Sequence, residues 1–304
     1  MVECFMTQIV VRFSINFTSL SNIIIPPFSS KVSRTLFIRM FNRGVEKPVE
    51  YFSSEKFVFK PLILTPVYWM DGKRYLFKVD DSEGLSKPLI LRENTKYCFY
   101  AVLISRGGGE LSSLIQDLAP SLKLELFNGE VLVENIGVEV KSFEGFGFKD
   151  SDGLIRVEFK TPVLISFPKS WVKLERKTPA RHSLFPIPSF MIHGLAEHWN
   201  SYAPEELKIP NVAKLRIYSN YSLVEQDYSV KPVTAVYDEK RRPRGFIGWT
   251  LYKHRRLNRS LDESLLKLLD YANYVGVGRS RSIGFGVVEV KPYNSKTSQP
   301  VKRP

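Results

Sequence analysis

The sequence has few cysteines, few histidines and no long uninterrupted apolar run. Its 304 residues include only Cys4 and Cys98, which excludes a disulfide framework and a cysteine-rich zinc site. The longest uncharged stretch near the start, residues 14–30, contains Asn, Ser, Thr and two prolines, whereas a membrane helix needs ~20 predominantly apolar residues. Glu3 and Arg12 interrupt the first apolar stretch, so no signal peptide is predicted. We therefore expect a cytoplasmic protein with no membrane partner.

Acidic residues are also scarce relative to basic ones. The chain has 44 Lys plus Arg against 31 Asp plus Glu, a net charge of +13. Such an excess attracts nucleic acid phosphates or an anionic surface, and a solvated basic surface with no single partner is the alternative. A hydrophobic content of 43% is enough to bury a core, which excludes general disorder.

Apolar patterning in the first half alternates between strand and helix. It predicts a strand at 9–17, a helix at 30–42, strands at 57–64, 74–79 and 96–104, a helix at 111–118 and a hairpin at 122–140. Val32, Leu36 and Met40 recur at every fourth position and mark the buried side of the first helix. A segment rich in Gly and Asp, residues 144–153, then reads as a linker.

The same order of elements begins again after this linker. The pattern predicts a strand at 155–165, a helix from Ser189 to Pro204, strands at 213–219 and 245–252, a helix opened by a capping box at 260–263 and ended by Gly276, and a strand at 287–290. This repetition predicts an α+β fold of two tandem ferredoxin-like (RRM-like) domains. We expect an N-terminal domain at 1–145, a C-terminal domain at 146–292 and a polar tail at 293–304.

The most informative segment is the glycine-rich loop, residues 276–286, with the sequence GVGRSRSIGFG. Glycines allow a backbone to lie close against a phosphate. The loop is not a P-loop, because no Lys-Ser/Thr pair follows its glycines, and not a dinucleotide-binding turn, because a helix precedes it and a strand follows. It therefore predicts a nucleic acid contact made by Gly276, Gly278, Arg279, Ser280, Arg281, Gly284 and Gly286. A tight connection with solvated arginines is the alternative.

A second basic segment, residues 240–256, combines cations with Phe246, Trp249 and Tyr252. Its arginines suit phosphate neutralisation, and the candidates are Arg241, Arg242 and Arg244. Aromatic residues that alternate along a strand more often pack in the core than stack on bases, and we expect Trp249 to be a core residue.

The four histidines do not form a pattern that predicts metal or cofactor binding. His193 and His198 are five residues apart, so they do not share a helix face, and His182 and His254 are isolated in the sequence. Each is expected to be a surface residue or a hydrogen-bonded core residue.

The loop and its surroundings resemble those of the Cas6 family, endoribonucleases that process CRISPR precursor RNA. The family pattern of glycine-hydrophobic-glycine, a basic stretch and again glycine-hydrophobic-glycine is present at residues 276–286. Residues 159–163, 195–203 and 244–249 fit in the same order, and the tandem ferredoxin-like architecture is the family's. The loop alone would mark only the wider superfamily of repeat-associated RNA-binding proteins.

The resemblance implies metal-independent cleavage of a CRISPR repeat by attack of a 2′-hydroxyl, with no cofactor. Many members carry a histidine on or just after the first helix, whereas no histidine precedes His182 here. The resemblance instead implies that Lys31 and Lys56 stabilise the transition-state phosphate and that Arg34 orients it. Tyr51 is a candidate proton carrier. Without the resemblance, Lys31, Arg34 and Lys56 would read as an ordinary solvated face.

Two other functions stay open at this point. One is a binding subunit that holds guide RNA within a CRISPR effector complex without cutting it, which the missing histidine favours. The other is a generic RRM-type RNA-binding protein, which has no preference for a CRISPR repeat. A homodimer is compatible with each, because two copies would widen the RNA-binding surface.

Overall fold

A computed structural model describes residues 8–41, 59–81, 87–105, 121–148, 153–167 and 182–293. The first half contains α1 (Ser30–Phe41) and the strands β1 (Ile9–Ser19), β2 (Ile23–Ile25), β3 (Leu62–Leu64), β4 (Tyr68–Trp69), β5 (Arg74–Tyr75), β6 (Lys78–Val79), β7 (Leu89–Leu91), β8 (Lys96–Ser105), β9 (Leu122–Leu126) and β10 (Gly129–Ser142). The second half contains β11 (Leu154–Val163), β12 (Ile165–Ser166), β13 (His182–Ser183), α2 (Pro188–Tyr202), α3 (Val212–Ser222), β14 (Leu223–Val236), β15 (Arg244–His254), α4 (Arg259–Val275) and β16 (Val288–Pro292). The protein is an α+β molecule of two tandem ferredoxin-like domains, as the sequence predicts.

The first sheet is antiparallel and has the order β5-β4-β8-β1-β10-β9, with β3 also pairing with β8. Strand β1 lies centrally, and its burial alternates from Val11 onward: Phe13, Ile15 and Phe17 are buried, and the residues between them are only partly buried. Those three side chains share a core with Val32 and Leu36 of α1. The four-residue spacing in the sequence therefore identified the buried side of this helix correctly.

The second sheet has the order β16-β11-β15-β14-β6, so its last strand comes from the first half of the chain. Val79 of β6 lies opposite Ala235 of β14. On this sheet, α2 and α4 pack into a core that contains Trp199 and Tyr271, both fully buried. Pairing between β6 and β14 fixes the two domains against each other through backbone hydrogen bonds.

The predicted strand at 213–219 is wrong, because these residues belong to helix α3. The Asn211 side chain caps this helix by accepting a hydrogen bond from the Lys214 backbone N–H at 2.8 Å. Leu215 and Ser219, four residues apart, face the interior. A capped helix buries residues three and four apart on one side, so this segment reaches the core without pairing as a strand.

Smaller differences between prediction and structure concern one strand that was not predicted, one that is divided in two and the cap of one helix. The long strand β14 was not predicted, and the predicted strand at 74–79 is two short strands, β5 and β6, which pair with different sheets. Helix α4 is capped by the Asn258 side chain, which accepts from Leu261 N at 3.1 Å, rather than by Ser260. The predicted helix at 111–118, the start of the strand at 57–64 and the polar tail from 294 onward lie outside the described residues.

The start of the predicted linker is part of a packed core. Phe143 and Phe146 are buried, and their rings lie 4.9 Å from Trp199 and 5.2 Å from Tyr271, respectively. The Asp270 carboxylate accepts a hydrogen bond from the Gly147 N–H at 2.9 Å. Residues 143–147 thus pack with the second domain, and the boundary at 145 stays a prediction. Across the ranges that the structure describes, none of the helices has the length and apolar character needed to cross a membrane.

Candidate functional site

The glycine-rich loop leaves the end of α4 and closes on itself. Gly276 ends the helix with a φ of +71°, and Val277 N donates to the Gly286 carbonyl at 2.8 Å. A Cβ at Gly286, whose φ is also +71°, would lie 1.9 Å from the Val277 carbonyl oxygen. Glycine is therefore required where the two arms of the loop touch.

The tip of this loop lies against the first turn of α1, in the other domain. The Ser30 hydroxyl donates to the Ile283 carbonyl at 2.7 Å. A Cβ at Gly284 would lie 2.9 Å from the Ser30 Cβ and 2.8 Å from the Pro66 ring. Because Lys31 follows Ser30, this contact brings the loop and the lysine predicted for the site together.

The two loop arginines point in different directions. Arg279 is exposed, and its guanidinium donates to the Ser166 hydroxyl at 3.3 Å. Arg281 is 7% exposed, and its guanidinium lies 3.4 Å from the Gly276 carbonyl and 5.8 Å from the Phe59 ring. Burial lowers the pKa of Arg281 to about 10. Arg281 therefore supports the loop from within, and its predicted contact with RNA stays a prediction.

A residue that the sequence analysis did not single out, Tyr237, joins three segments of the site. Its ring packs against Phe28, with centroids 5.6 Å apart, and against Phe285 of the loop at 6.0 Å. Lys31 Nζ lies 4.9 Å from the ring centroid, and the Arg241 guanidinium lies 4.5 Å from it. Two cations thus share one aromatic ring, an arrangement that the negative face of the ring stabilises.

The hydroxyl of Tyr237 is set in a half-buried and positively charged environment. Burial raises its pKa, while the charges of Arg241 and Arg34 partly offset that increase. Arg34 is exposed on α1 one turn after Lys31, so both α1 cations act on this tyrosine. The only sequence signal for Tyr237 is an aromatic residue directly before the basic turn at 238–243.

The space beside Tyr237 is a pocket of about 420 Å³. Polar and charged residues that line it are His182, Tyr237, Arg241, Arg242, Arg279 and Ser280. His182, which looked isolated in the sequence, lies on the short strand β13 with its Nδ1 3.4 Å from the Ser166 hydroxyl, the group that also binds Arg279. The fold therefore places a histidine among the predicted cations.

The arginines of the turn between β14 and β15 are held by acidic neighbours. Arg241 forms an ion pair with Asp238 at 2.5 Å, and Arg242 forms one with Asp80 at 3.2 Å. Arg244 is exposed at the start of β15 and is not among the lining residues of the pocket. Two of the three predicted arginines therefore contribute to the pocket.

Other candidates are placed elsewhere or outside the described residues. Lys56 and Tyr51 lie outside the described residues. The expectation that Trp249 belongs to the core is wrong: it is only partly buried, with the Arg156 guanidinium 4.3 Å from its ring, because Phe246 and Tyr252 occupy the opposite face of β15. His198 and His254 are buried and bind Tyr271 and Asp262, each at 2.9 Å, as core residues. Within the described ranges, no group of three His, Cys, Asp or Glu side chains is arranged to hold a metal ion.

These features define a class of protein: two ferredoxin-like domains whose glycine-rich loop and basic turn line one cationic pocket, with the first helix in contact with the loop and with Tyr237 of the pocket wall. Two family models match, the Cas6 N-terminal domain over residues 11–141 and the CRISPR-associated endoribonuclease Cas6 over residues 157–288. The chain belongs to the Cas6 family of CRISPR-associated endoribonucleases.

Individual relatives agree with this assignment. The CRISPR-associated endoribonuclease Cas6 1 of Saccharolobus solfataricus is 27% identical over 209 residues, which are 62% of this chain and 71% of that protein. Among solved structures, a Thermus thermophilus Cas6 is similar with a TM-score of 0.64 at 14% identity, over 93% of this chain and 99% of that one. A Cas6 product complex has a TM-score of 0.62 at 17% identity, over 94% and 100% of the two chains. At such identities the solved structures support the fold alone.

Proposed function

We propose that this protein cleaves precursor CRISPR RNA within its repeats, by metal-independent attack of a 2′-hydroxyl on the adjacent phosphate. The pocket beside Tyr237 is the proposed place of cleavage. The reaction leaves a 2′,3′-cyclic phosphate on one product and a 5′-hydroxyl on the other.

The observation that carries this proposal is the convergence of cations from three separate segments. Lys31 comes from α1, Arg241 from the turn between β14 and β15, and Arg279 from the glycine-rich loop. Lys31 and Arg241 share the ring of Tyr237, and Arg241 and Arg279 line one pocket with it. Cations with no common ligand would repel one another, so their clustering from such distant parts of the chain favours a shared anionic ligand.

Cleavage by a 2′-hydroxyl requires several cations around the phosphate that is attacked. When the 2′-oxygen attacks, the phosphorus becomes five-coordinate, and its non-bridging oxygens gain negative charge. Preorganised cations stabilise that charge more than they stabilise the starting phosphodiester, so they lower the barrier. A phosphate seated in a pocket of about 420 Å³ is also partly shielded from water, which strengthens each interaction.

Individual residues have distinct proposed roles. Lys31 stabilises the transition-state phosphate, Arg34 orients it, and Arg279 and Ser280 hold the RNA on the exposed side of the loop. Arg242 and Arg244 extend the basic surface to neighbouring phosphates. Lys56 and Tyr51 keep their proposed roles in phosphate stabilisation and proton transfer, on the resemblance alone.

A second proposal is a binding subunit that holds guide RNA within a CRISPR effector complex without cutting it. The absence of a histidine before His182 favours this alternative. Both proposals use the same basic pocket, and either is compatible with a homodimer. They differ in whether the bound RNA is cut.

Incubation with end-labelled CRISPR repeat RNA in excess EDTA separates the two proposals. The enzyme predicts one cut within the repeat, a product that carries a 2′,3′-cyclic phosphate, and no cut in RNA of the same composition but scrambled sequence. Tight repeat-specific binding without any cut would support the binding subunit. Cleavage that disappears with EDTA would contradict the metal-independent mechanism.

A further inference from the structure

Among the described residues that line the basic pocket, one can accept a proton near neutral pH, and the roles proposed above do not use it. His182 lines the pocket together with Tyr237, Arg241, Arg242 and Arg279. In its neutral form, one ring nitrogen carries a hydrogen and the other carries a lone pair that accepts a proton. The cations around it neutralise phosphate charge but, as permanently protonated groups, cannot remove the proton of a 2′-hydroxyl.

We propose that His182 is the proton acceptor for the attacking 2′-hydroxyl. The assignment rests on the proposed function, since it names the base for the reaction proposed there. His182 lies on β13 in the second half of the chain, far from the first helix in sequence, and only the fold brings it to the pocket.

The position of the ring is fixed by β12 and the loop. Strands β12 and β13 pair with Ser166 opposite His182, and the Ser166 hydroxyl lies 3.4 Å from His182 Nδ1. The same hydroxyl accepts a hydrogen bond from Arg279 at 3.3 Å. Arg279, which would hold the phosphate, and His182 are therefore linked through one serine, and this arrangement positions a base beside a bound phosphodiester.

Burial and a neighbouring positive charge lower the pKa of His182 and so favour its neutral form. Burial lowers its pKa below the ordinary 6.5, the positive charge of Arg279 lowers it further, and a hydrogen bond with the Ile165 backbone offsets part of the change. Arg241 and Arg242 face the same pocket from the turn, where Asp238 pairs with Arg241 and Asp80 with Arg242. Tyr237 also lines the pocket, and Lys31 lies against its ring. At neutral pH the histidine is thus in the form that a base requires.

Protons and bonds balance in the proposed step. A ring nitrogen of His182 takes the proton of the 2′-hydroxyl while the 2′-oxygen forms its bond to phosphorus. The bond between phosphorus and the 5′-oxygen breaks, and the 5′-oxygen takes a proton from water to become a hydroxyl. The imidazolium then returns its proton to water, so the enzyme is unchanged.

The test is single-turnover cleavage of the repeat RNA by His182→Gln in EDTA, with RNA affinity measured in parallel. We expect the rate to fall by about 10²-fold or more while the dissociation constant changes by less than about threefold. The rate of the unaltered protein should rise with pH and level off with an inflection below 6.5. The variant should lose this plateau, because hydroxide from solvent then acts as the base.

His193→Gln is the matched control, since that histidine lies on α2 and is not among the residues lining the pocket. Imidazole added to His182→Ala should restore part of the rate, which a merely misfolded variant would not permit. Equal rates and equal pH profiles for the unaltered protein and His182→Gln would overturn the assignment and leave the proposed function standing. Absence of cleavage by the unaltered protein would overturn both.

Discussion

At the scale of single residues, the site depends on a few side chains that organise charges. Tyr237 is an example, because it lies between Lys31 and Arg241 and packs against Phe28 and Phe285. A tyrosine with raised pKa stays neutral through the physiological range, so its ring remains available to both cations. Removal of a cation from this cluster should therefore affect the transition state more than the fold.

Replacement of Lys31 by Ala should lower the single-turnover cleavage rate by about 10²-fold, since one preorganised charge on the phosphate is lost. RNA affinity should fall only slightly, because the remaining arginines hold the backbone. Lys214→Ala is the control, as Lys214 is exposed on α3, whereas Lys31 lies against the ring of Tyr237 in the pocket wall. Parallel loss of rate and affinity would contradict a role specific to the transition state.

A residue-scale prediction also follows for Arg279, which is exposed and contacts Ser166. In Arg279→Gln the slope of log affinity against log salt should become shallower by about 1, because one phosphate contact is lost. Arg259→Gln, at an exposed arginine with 95% side-chain exposure, is the matched control and should leave the slope unchanged. An unchanged slope in Arg279→Gln would mean that this arginine does not contact RNA.

At the scale of elements, two local features determine how the site is held. The first is the glycine-rich loop, whose tip has no room for a side chain next to Ser30 and Pro66. The second is the pairing of β11 with β16, which places Glu158 directly opposite Glu289. Two opposed carboxylates repel each other, and Lys160 lies between them, 2.9 Å from Glu289 and in contact with Glu158.

The loop tip can be tested with a pair of glycine substitutions. Gly284→Ala should move the loop off α1 and reduce cleavage more than tenfold, because Gly284 has a φ of +91° and its Cβ would overlap Pro66. Gly194→Ala, in α2, meets nothing within 4 Å and should raise the free energy of unfolding by about 0.5–1 kcal/mol with no loss of cleavage. Full activity of Gly284→Ala would show that contact of the loop with α1 is not needed.

Lys160 predicts a dependence of stability on pH. Burial alone would raise the pKa of Glu158 and Glu289, but bonds and charges from Lys160 and its neighbours outweigh it and lower both. Carboxylates with lowered pKa add stability above their unfolded pKa and lose it as pH falls through the folded value. Lys160→Met should therefore cost about 1 kcal/mol at pH 7 and much less near pH 3, as measured by denaturant unfolding.

The control for this element is Lys123→Met, which removes an exposed ion pair with Glu130. Its effect should be a few tenths of a kcal/mol, since exposed pairs contribute little. An equal cost for Lys160→Met at both pH values would show that charge is not the cause.

Elements whose structure is set by the local sequence pattern could be predicted, and elements whose structure is set by contacts with distant residues could not. The buried side of α1 follows from the spacing of Val32, Leu36 and Met40, which are all buried. Residues 213–219 form a helix because the Asn211 side chain caps it and Leu215 packs in the core. Neither contact could be predicted from the polarity of neighbouring residues. The division of residues 74–79 between two sheets is likewise set by distant partners.

At the scale of the whole molecule, the site exists because two domains are held together. Strand β6 of the first half completes the sheet of the second, and the loop after α4 lies on α1. Arg279 and His182 are far apart in sequence and line one pocket with Tyr237, whose ring also contacts Lys31 of α1. The sequence therefore predicted the cations by type and motif, and their roles stay predictions, while the neighbourhood of Tyr237 and His182 could be seen only in the fold.

In the proposed reaction, a 2′-hydroxyl of the RNA attacks its own phosphate in this pocket. The most direct measurement replaces one ribose of the repeat RNA, immediately before the mapped cut, by its 2′-deoxy form and compares cleavage in excess EDTA. We predict that the unmodified RNA is cut once and that the 2′-deoxy RNA binds equally well but is not cut. Cleavage of the 2′-deoxy RNA at the same bond would contradict attack by the 2′-hydroxyl, because water or another nucleophile would then have replaced it.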